Sequence, residues 1–218
     1  MPDLYIITGS NGSGKSTLGF SHLPRIIQDN YTIFDGDKLA MQKRIAIYKS
    51  VTPSLKEANR IANEWVYEYF EELVNKALST KDDFVYEGHL PSSENWEILK
   101  RFKGEGYKTH LIFFGLANTE LSALRVTERA KQGGHNVPPY EIERNYYGNL
   151  YQLNKRYQEL DELKIVDTSA SKHKELALFK NGELHFALHH GKLPEWFEKG
   201  LPNLYKKIIK NEAPLNGN

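Results

Sequence analysis

Residues 4–18 read Leu-Tyr-Ile-Ile-Thr-Gly-Ser-Asn-Gly-Ser-Gly-Lys-Ser-Thr-Leu, and their reading decides the fold. Leu4 to Ile7 is a short apolar run of the kind that forms a buried strand. Gly9 to Ser16 then satisfies the phosphate-binding pattern G-x-x-x-x-G-K-[ST] in full. Glycines at 9, 12 and 14 free the backbone to curl, so that successive N–H groups point inward at a phosphate. The helix expected from Lys15 adds the positive end of its dipole to the same spot. The loop Gly9, Ser10, Asn11, Gly12, Ser13, Gly14, Lys15, Ser16 and Thr17 is therefore expected to hold a nucleoside triphosphate, ATP or GTP. Lys15 reaches its β and γ phosphates, and Ser16 is a ligand for Mg²⁺. A glycine-rich turn that binds nothing is the bland alternative, and the strand before and helix after the loop argue against it.

Length and composition bound the rest. The chain has 218 residues, enough for one domain with a small appendage and a sizeable core. A formal net charge of +1 gives no bulk field for long nucleic acid or a membrane surface. The absence of cysteine excludes disulfides and thiolate metal sites. The first strand begins at once, leaving no room for a signal peptide, and no apolar run approaches the ~20 residues of a membrane span. The expectation is a cytoplasmic protein.

Outward from the loop, a helix is expected from Lys15 to about Ile27, with Leu18, Leu23, Ile26 and Ile27 inward and Pro24 kinking or dividing it. Tyr31 to Phe34 reads as a second strand, which delivers Asp35-Gly36-Asp37 at its C-terminal end, where open parallel α/β sheets bind ligands. A plain turn is the alternative reading. A carboxylate there can take a proton from an attacking hydroxyl or hold Mg²⁺ through water, which makes Asp37 both a catalytic and a metal candidate. After a helix over 38–50, Thr52 caps and Pro53 opens a long helix. Its stripe, Leu55, Ala58, Ile61, Ala62, Trp65, Tyr69, Phe70, Leu73 and Ala77, reads as core. Glu68, Glu71 and Glu72 lie at the stripe's margin, where solvation is the default. Phe84 to Tyr86 is the third strand and ends in Glu87-Gly88-His89; Glu87 is a candidate for the Mg²⁺ shell or a substrate hydroxyl, and His89 a rim residue. A helix from Ser92 carries Trp96, Leu99 and Phe102 inward, and Thr109 to Gly115 reads as a strand buried on both faces.

Glu120 to Lys131 places Arg125 and Arg129 at i and i+4 on one helix face. Gln132 to Pro139 interrupts it, and Tyr140 to Leu160 continues as helix. Helix, glycine hinge and helix, with arginines on the first arm, is how a mobile lid over phosphates is built. A solvated face pairing with Glu120 or Glu128 is the alternative. Leu163 to Val166 is the fifth strand. His173–Lys180 and Glu183–His189 flank Asn181-Gly182, a strong hairpin signal. Short helices follow over 194–200 and 204–209, with a fraying tail from Asn211. His185, His189 and His190 suggest metal, but strand alternation puts 189 and 190 on opposite faces and argues against a shared ion. The expected fold is α/β: a P-loop NTPase-type parallel sheet flanked by helices over 1–170, with a helical lid at about 119–160. A C-terminal β-hairpin and helical extension over 171–218 packs on the same domain.

These stretches together resemble the zeta-toxin-like P-loop kinases, a group that includes predicted ABC-type ATPases. The resemblance rests on Gly9–Thr17, Phe34-Asp-Gly-Asp37, Val85-Tyr-Glu-Gly88, Gly106-Tyr followed by Leu111-Ile-Phe-Phe-Gly-Leu, and Arg125-Val-Thr-Glu-Arg129 running into Gly133-Gly-His-Asn-Val-Pro138, with Ile142 and Arg144 beyond. It covers roughly residues 3–170. What it implies is an ATP-dependent small-molecule kinase. Characterised zeta toxins phosphorylate a sugar hydroxyl of UDP-N-acetylglucosamine, so a nucleotide sugar is the implied acceptor and an antitoxin-like protein the implied partner. By the resemblance Lys15 and Ser16 keep their nucleotide roles, Asp37 is the catalytic base with Asp35 beside it, Glu87 faces substrate, Arg129 contacts phosphates, and Glu72 matches a substrate-contacting glutamate. His135 falls where the toxins carry a second arginine, a departure that leaves Arg125 or Arg144 to supply the permanent charge. A phosphotransferase acting on another nucleoside, coenzyme or nucleic-acid end is the second reading. A nucleotide-binding regulator with little turnover is the third.

Overall fold

The computed structural model describes residues 1–132 and 137–212. Its strands are β1 (Asp3–Gly9), β2 (Phe34–Asp35), β3 (Phe84–Glu87), β4 (Lys108–Gly115), β5 (Glu162–Asp167), β6 (Lys174–Lys180) and β7 (Glu183–Ala187). They form one sheet in the order β2-β3-β1-β4-β5-β6-β7. The first five are parallel, and β6 and β7 are antiparallel additions to the edge at β5. Strand alternation splits the core in two. Leu4, Ile6, Leu111 and Phe113 face a large cluster on one side, and Tyr5, Ile7, Ile112 and Phe114 a smaller one on the other.

The helices are α1 (Lys15–Leu18), α2 (Arg25–Asn30), α3 (Gly36–Ser50), α4 (Leu55–Thr80), α5 (Glu97–Gly104), α6 (Thr119–Lys131), α7 (Pro139–Arg156), α8 (Glu195–Gly200) and α9 (Pro202–Glu212). Two differ instructively from expectation. The single helix expected over 15–27 is α1, a 3₁₀ turn over Gly19–His22, and α2. Leu23 is extended (φ −78°, ψ 155°), as the residue before a proline prefers, and Pro24 restarts the helix. The long helix is capped by Ser54, not Thr52: Ser54 Oγ accepts from the Glu57 N–H at 3.3 Å, while Thr52 Oγ1 accepts from the Ser54 N–H. Ser54-Leu-Lys-Glu57 has capping-box spacing, and it outcompetes the threonine two residues earlier. Of the stripe on α4 only Ala58, Ala62 and Ala77 are buried, and Leu55 is 55% exposed. The N-terminal half of α4 packs chiefly with α3 around Ile47, away from the main core.

The C-terminal segment belongs to the main core. Leu176, Phe179, Trp196, Phe197, Leu204 and Ile208 are all buried in the large cluster. Asn181 (φ 51°) and Gly182 (φ 73°) form the tight turn between β6 and β7. Trp196 lies over Gly115, where a Cβ would fall 2.1 Å from the ring, and its indole N–H donates to Asp167 at 3.1 Å. Trp196→Ala is expected to cost about 3–5 kcal/mol in chemical denaturation, from the cavity and the lost bond. A loss below about 1 kcal/mol would make the segment peripheral.

Candidate active site

The loop after β1 closes on itself as the motif requires. Gly9, Gly12 and Gly14 take φ of 145°, 70° and 84°, and a Cβ on Gly9 would stand 2.2 Å from the Phe114 carbonyl oxygen. Lys15 is 7% exposed. Its Nζ donates to the Gly9 and Ser10 carbonyls at 3.2 and 3.0 Å, so the loop holds its own cation in place. Burial lowers the Lys15 pKa, and Glu87 and Asp37 oppose that shift. Ser16 Oγ donates to Glu87 Oε1 at 2.7 Å.

Glu87 closes β3 beside Asp35 at the end of β2, because the strands pair Asp35 with Glu87. Burial raises the Glu87 pKa, against the pull of Lys15 and the Ser16 hydroxyl. The folded protein therefore keeps a proton on Glu87 in a pH window where the unfolded chain has lost it. That contribution to stability is present below the ordinary carboxylate range and lost as pH rises through the window. Glu87→Gln is expected to raise the melting temperature of the nucleotide-free protein at pH 7 and to leave it unchanged near pH ~4. A lower melting temperature at pH 7 would sink this account. The Ser16 hydroxyl with the Asp37, Asp35 and Glu87 carboxylates is a set of hard oxygen donors, which suits Mg²⁺.

Asp35 and Asp37 have different duties. Asp35 caps α3, its Oδ1 accepting from the Lys38 N–H at 3.0 Å. Asp37 lies in the first turn of α3, exposed. Two cavities meet there. One, of about 390 Å³, is lined by the loop around Lys15, by Asp35 and Glu87, and by Arg125 and Arg129 of α6. The other, of about 490 Å³, is lined by Ser92, Asn95, Glu141 and Arg144. Asn11, Asp37 and His89 line both. Burial, reinforced by the Lys15 ammonium, lowers the pKa of His89 well below the ordinary imidazole value and keeps the ring neutral at this junction.

Arg125 is committed to the base of the cleft. Its guanidinium donates to the carbonyls of Gly12 at 3.4 Å and Ser169 at 3.0 Å, joining the loop after β1 to the loop after β5. Arg129 lines the first cavity and Arg144 the second. Glu72 stays exposed on α4 and lines neither cavity, because its position faces away from the sheet; its neighbour Glu71 pairs with Arg101 at 2.9 Å. His135 lies outside the described residues.

Sequence reading missed a polar relay from α7. Asn145 and Asn149 are 4% and 2% exposed. Asn149 Oδ1 accepts from the Leu90 N–H at 2.7 Å, and its amide donates to the Asn145 carbonyl. Asn145 donates to Asn11 Oδ1 at 2.9 Å, and the Asn11 amide faces His89 Nε2 at 3.3 Å. The available signal was two asparagines at i and i+4 on the inward face marked by Ile142, Tyr146, Leu150 and Leu153, where polar groups need partners. Asn149→Ala strands the Leu90 N–H and is expected to cost about 1–3 kcal/mol by chemical denaturation, with weakened nucleotide binding. Unchanged stability and affinity would remove the relay from the account.

A family model described as "Zeta toxin" matches residues 1–183, through β6 and past the residue 170 at which the motif resemblance ends. An uncharacterized protein of Haemophilus influenzae is 28% identical over 127 residues, which is 58% of this chain and 80% of that protein. Among solved structures, the AvrRxo1-ORF1:AvrRxo1-ORF2 complex with ATP is similar at TM-score 0.66 and 15% identity, over 100% of this chain and 66% of that one. This chain thus spans just under two thirds of that relative's length. The PezAT chromosomal toxin–antitoxin system of Streptococcus pneumoniae is similar at TM-score 0.59 and 19% identity, over 98% of this chain and 88% of that one. At these identities the structural likeness is one of fold.

Proposed function

Because this chain belongs to the zeta toxin family, we propose that it transfers the γ-phosphate of ATP to a hydroxyl of a small acceptor, a nucleotide sugar such as UDP-N-acetylglucosamine. Family and fold support an ATP-dependent phosphotransferase. The observation that carries the finer reading is Asp37 on the wall shared by the two cavities, with the phosphate-binding groups in one and a polar chamber in the other.

In this mechanism the triphosphate occupies the loop after β1, and Lys15 exchanges its carbonyl partners for phosphate oxygens. Ser16 and the Asp35, Asp37 and Glu87 carboxylates would hold Mg²⁺, which would supply neutralisation of phosphate charge. An acceptor in the second cavity presents its hydroxyl to Asp37, which takes the proton as the oxygen attacks. Arg129 supports the charge of the moving phosphoryl group, as an arginine in this place can. Asn11 and neutral His89 fix the acceptor's approach, and most of the rate arises from positioning and charge neutralisation. An antitoxin-like protein that covers the cleft is part of the same reading. No helix among the described residues is long and apolar enough to cross a membrane.

The test is mass-spectrometric detection of phosphorylated product after incubation with Mg-ATP and a panel of nucleotide sugars. A phosphorylated sugar nucleotide is the expected result. No product across the panel, with ATP binding intact, would remove the nucleotide sugar as acceptor.

A further inference from the structure

We propose that His189, His190 and Glu212 form a binding site for a borderline divalent cation of the Zn²⁺ type, separate from the nucleotide cleft. The expectation that the two histidines point apart assumed a strand through residue 190. Instead β7 ends at Ala187, and His190–Lys192 is a 3₁₀ turn closed by the Lys192 N–H on the His189 carbonyl at 2.8 Å. The turn cancels strand alternation and brings the two imidazoles to one side, centroids 4.3 Å apart and planes 34° from parallel.

Glu212, in the last turn of α9, completes the set. Its Oε1 accepts the His190 backbone N–H at 2.9 Å, which fixes the carboxylate. Its Oε2 then faces both rings, 2.5 Å from His190 Nδ1 and 3.7 Å from His189 Nε2. The three donor atoms all lie within 4.8 Å of one another. Around Zn²⁺, donors at ~2.0–2.2 Å from the metal stand roughly 3.3 Å apart. Shifts of about an ångström in side chains on a surface turn reach that arrangement. Solvent supplies the fourth position. The proton shared by His190 and Glu212 moves to His190 Nε2. The Gly191 N–H on His189 Nδ1, at 3.2 Å, gives way as that nitrogen takes the ring proton.

Two imidazoles and one carboxylate select Zn²⁺, Ni²⁺ or Cu²⁺ over Mg²⁺. None of the three residues lines the cleft, where the candidate Mg²⁺ donors Ser16, Asp35, Asp37 and Glu87 are all oxygen. A bound ion would staple the end of α9 to the turn that follows β7.

The test is calorimetric titration of Zn²⁺ into the full chain, stripped with chelator, beside His189→Ala/His190→Ala and Glu212→Gln. The expected result is one saturable site on the wild type, weakened at least tenfold in both variants, with no corresponding site for Mg²⁺. Because zinc can also visit the cleft carboxylates, the comparison decides. Equal zinc affinity and stoichiometry in wild type and double variant would overturn the proposal, as would the absence of a saturable site. Should a variant fold poorly, hydrogen exchange on the wild type gives an independent readout. Zn²⁺ is expected to slow exchange in the last turn of α9, and no change there overturns the site.

Discussion

Lys15→Ala is expected to lower phosphoryl transfer by about a thousandfold or more while leaving the protein folded. One preorganised charge at the developing transition-state charge is worth roughly 10²–10³ in rate, and a cation touching two phosphates stands at the upper end. The stability side has the opposite sign. Lys15 is buried, and among the described residues its Nζ meets only the Gly9 and Ser10 carbonyls at hydrogen-bonding distance, with Glu87 and Asp37 offsetting burial through space. A buried ammonium without a close counter-ion costs desolvation, so the alanine variant should melt no lower than wild type in the absence of nucleotide. Single-turnover product formation and a thermal melt, run together, separate lost chemistry from lost fold. Retention of more than a tenth of wild-type turnover would take Lys15 out of the mechanism.

Asp37→Asn is expected to reduce transfer by about 10²–10⁴, the range for general-base catalysis, while ATP affinity changes little. The substitution keeps shape and removes the carboxylate's charge together with its ability to take a proton. Asp35→Ala is the informative contrast. Asp35 accepts the Lys38 N–H at the start of α3, so its loss should cost about 1 kcal/mol of stability. If Asp37→Asn turned over normally with a nucleotide sugar, the base would have to be sought elsewhere in the junction, beginning with His89.

What was legible in the sequence was local. The loop from Gly9 to Thr17 signals itself through glycine, lysine and serine at fixed spacing. Asp35, Asp37 and Glu87 could be placed because strands with β-branched and aromatic runs end just before or at them. What was not legible depended on pairing across distance. Asn145 and Asn149 are ordinary helix residues until folding sets them against Asn11 and Leu90. Thr52 and Ser54 both fit a cap, and only the spacing to Glu57 chose between them. The end of β7 leaves little local trace: the Leu188 N–H still bonds to Leu176, and the chain turns only one residue later. That single residue reversed the reading of His189 and His190.

The split core has a consequence for biosynthesis. The small cluster on one sheet face is built wholly from residues up to Val166. The large one needs Trp196, Phe197, Leu201, Leu204 and Ile208. While a ribosome still holds that segment in its exit tunnel, the phosphate loop can already form, yet the opposite face of its sheet stays bare to solvent. Since Trp196 presses on Gly115 and binds Asp167, these ends of β4 and β5 gain their cover only once α8 emerges. Closure of that sheet face therefore waits on α8 and α9, and a chain cut short near residue 190 is expected to aggregate through the apolar surface it leaves bare.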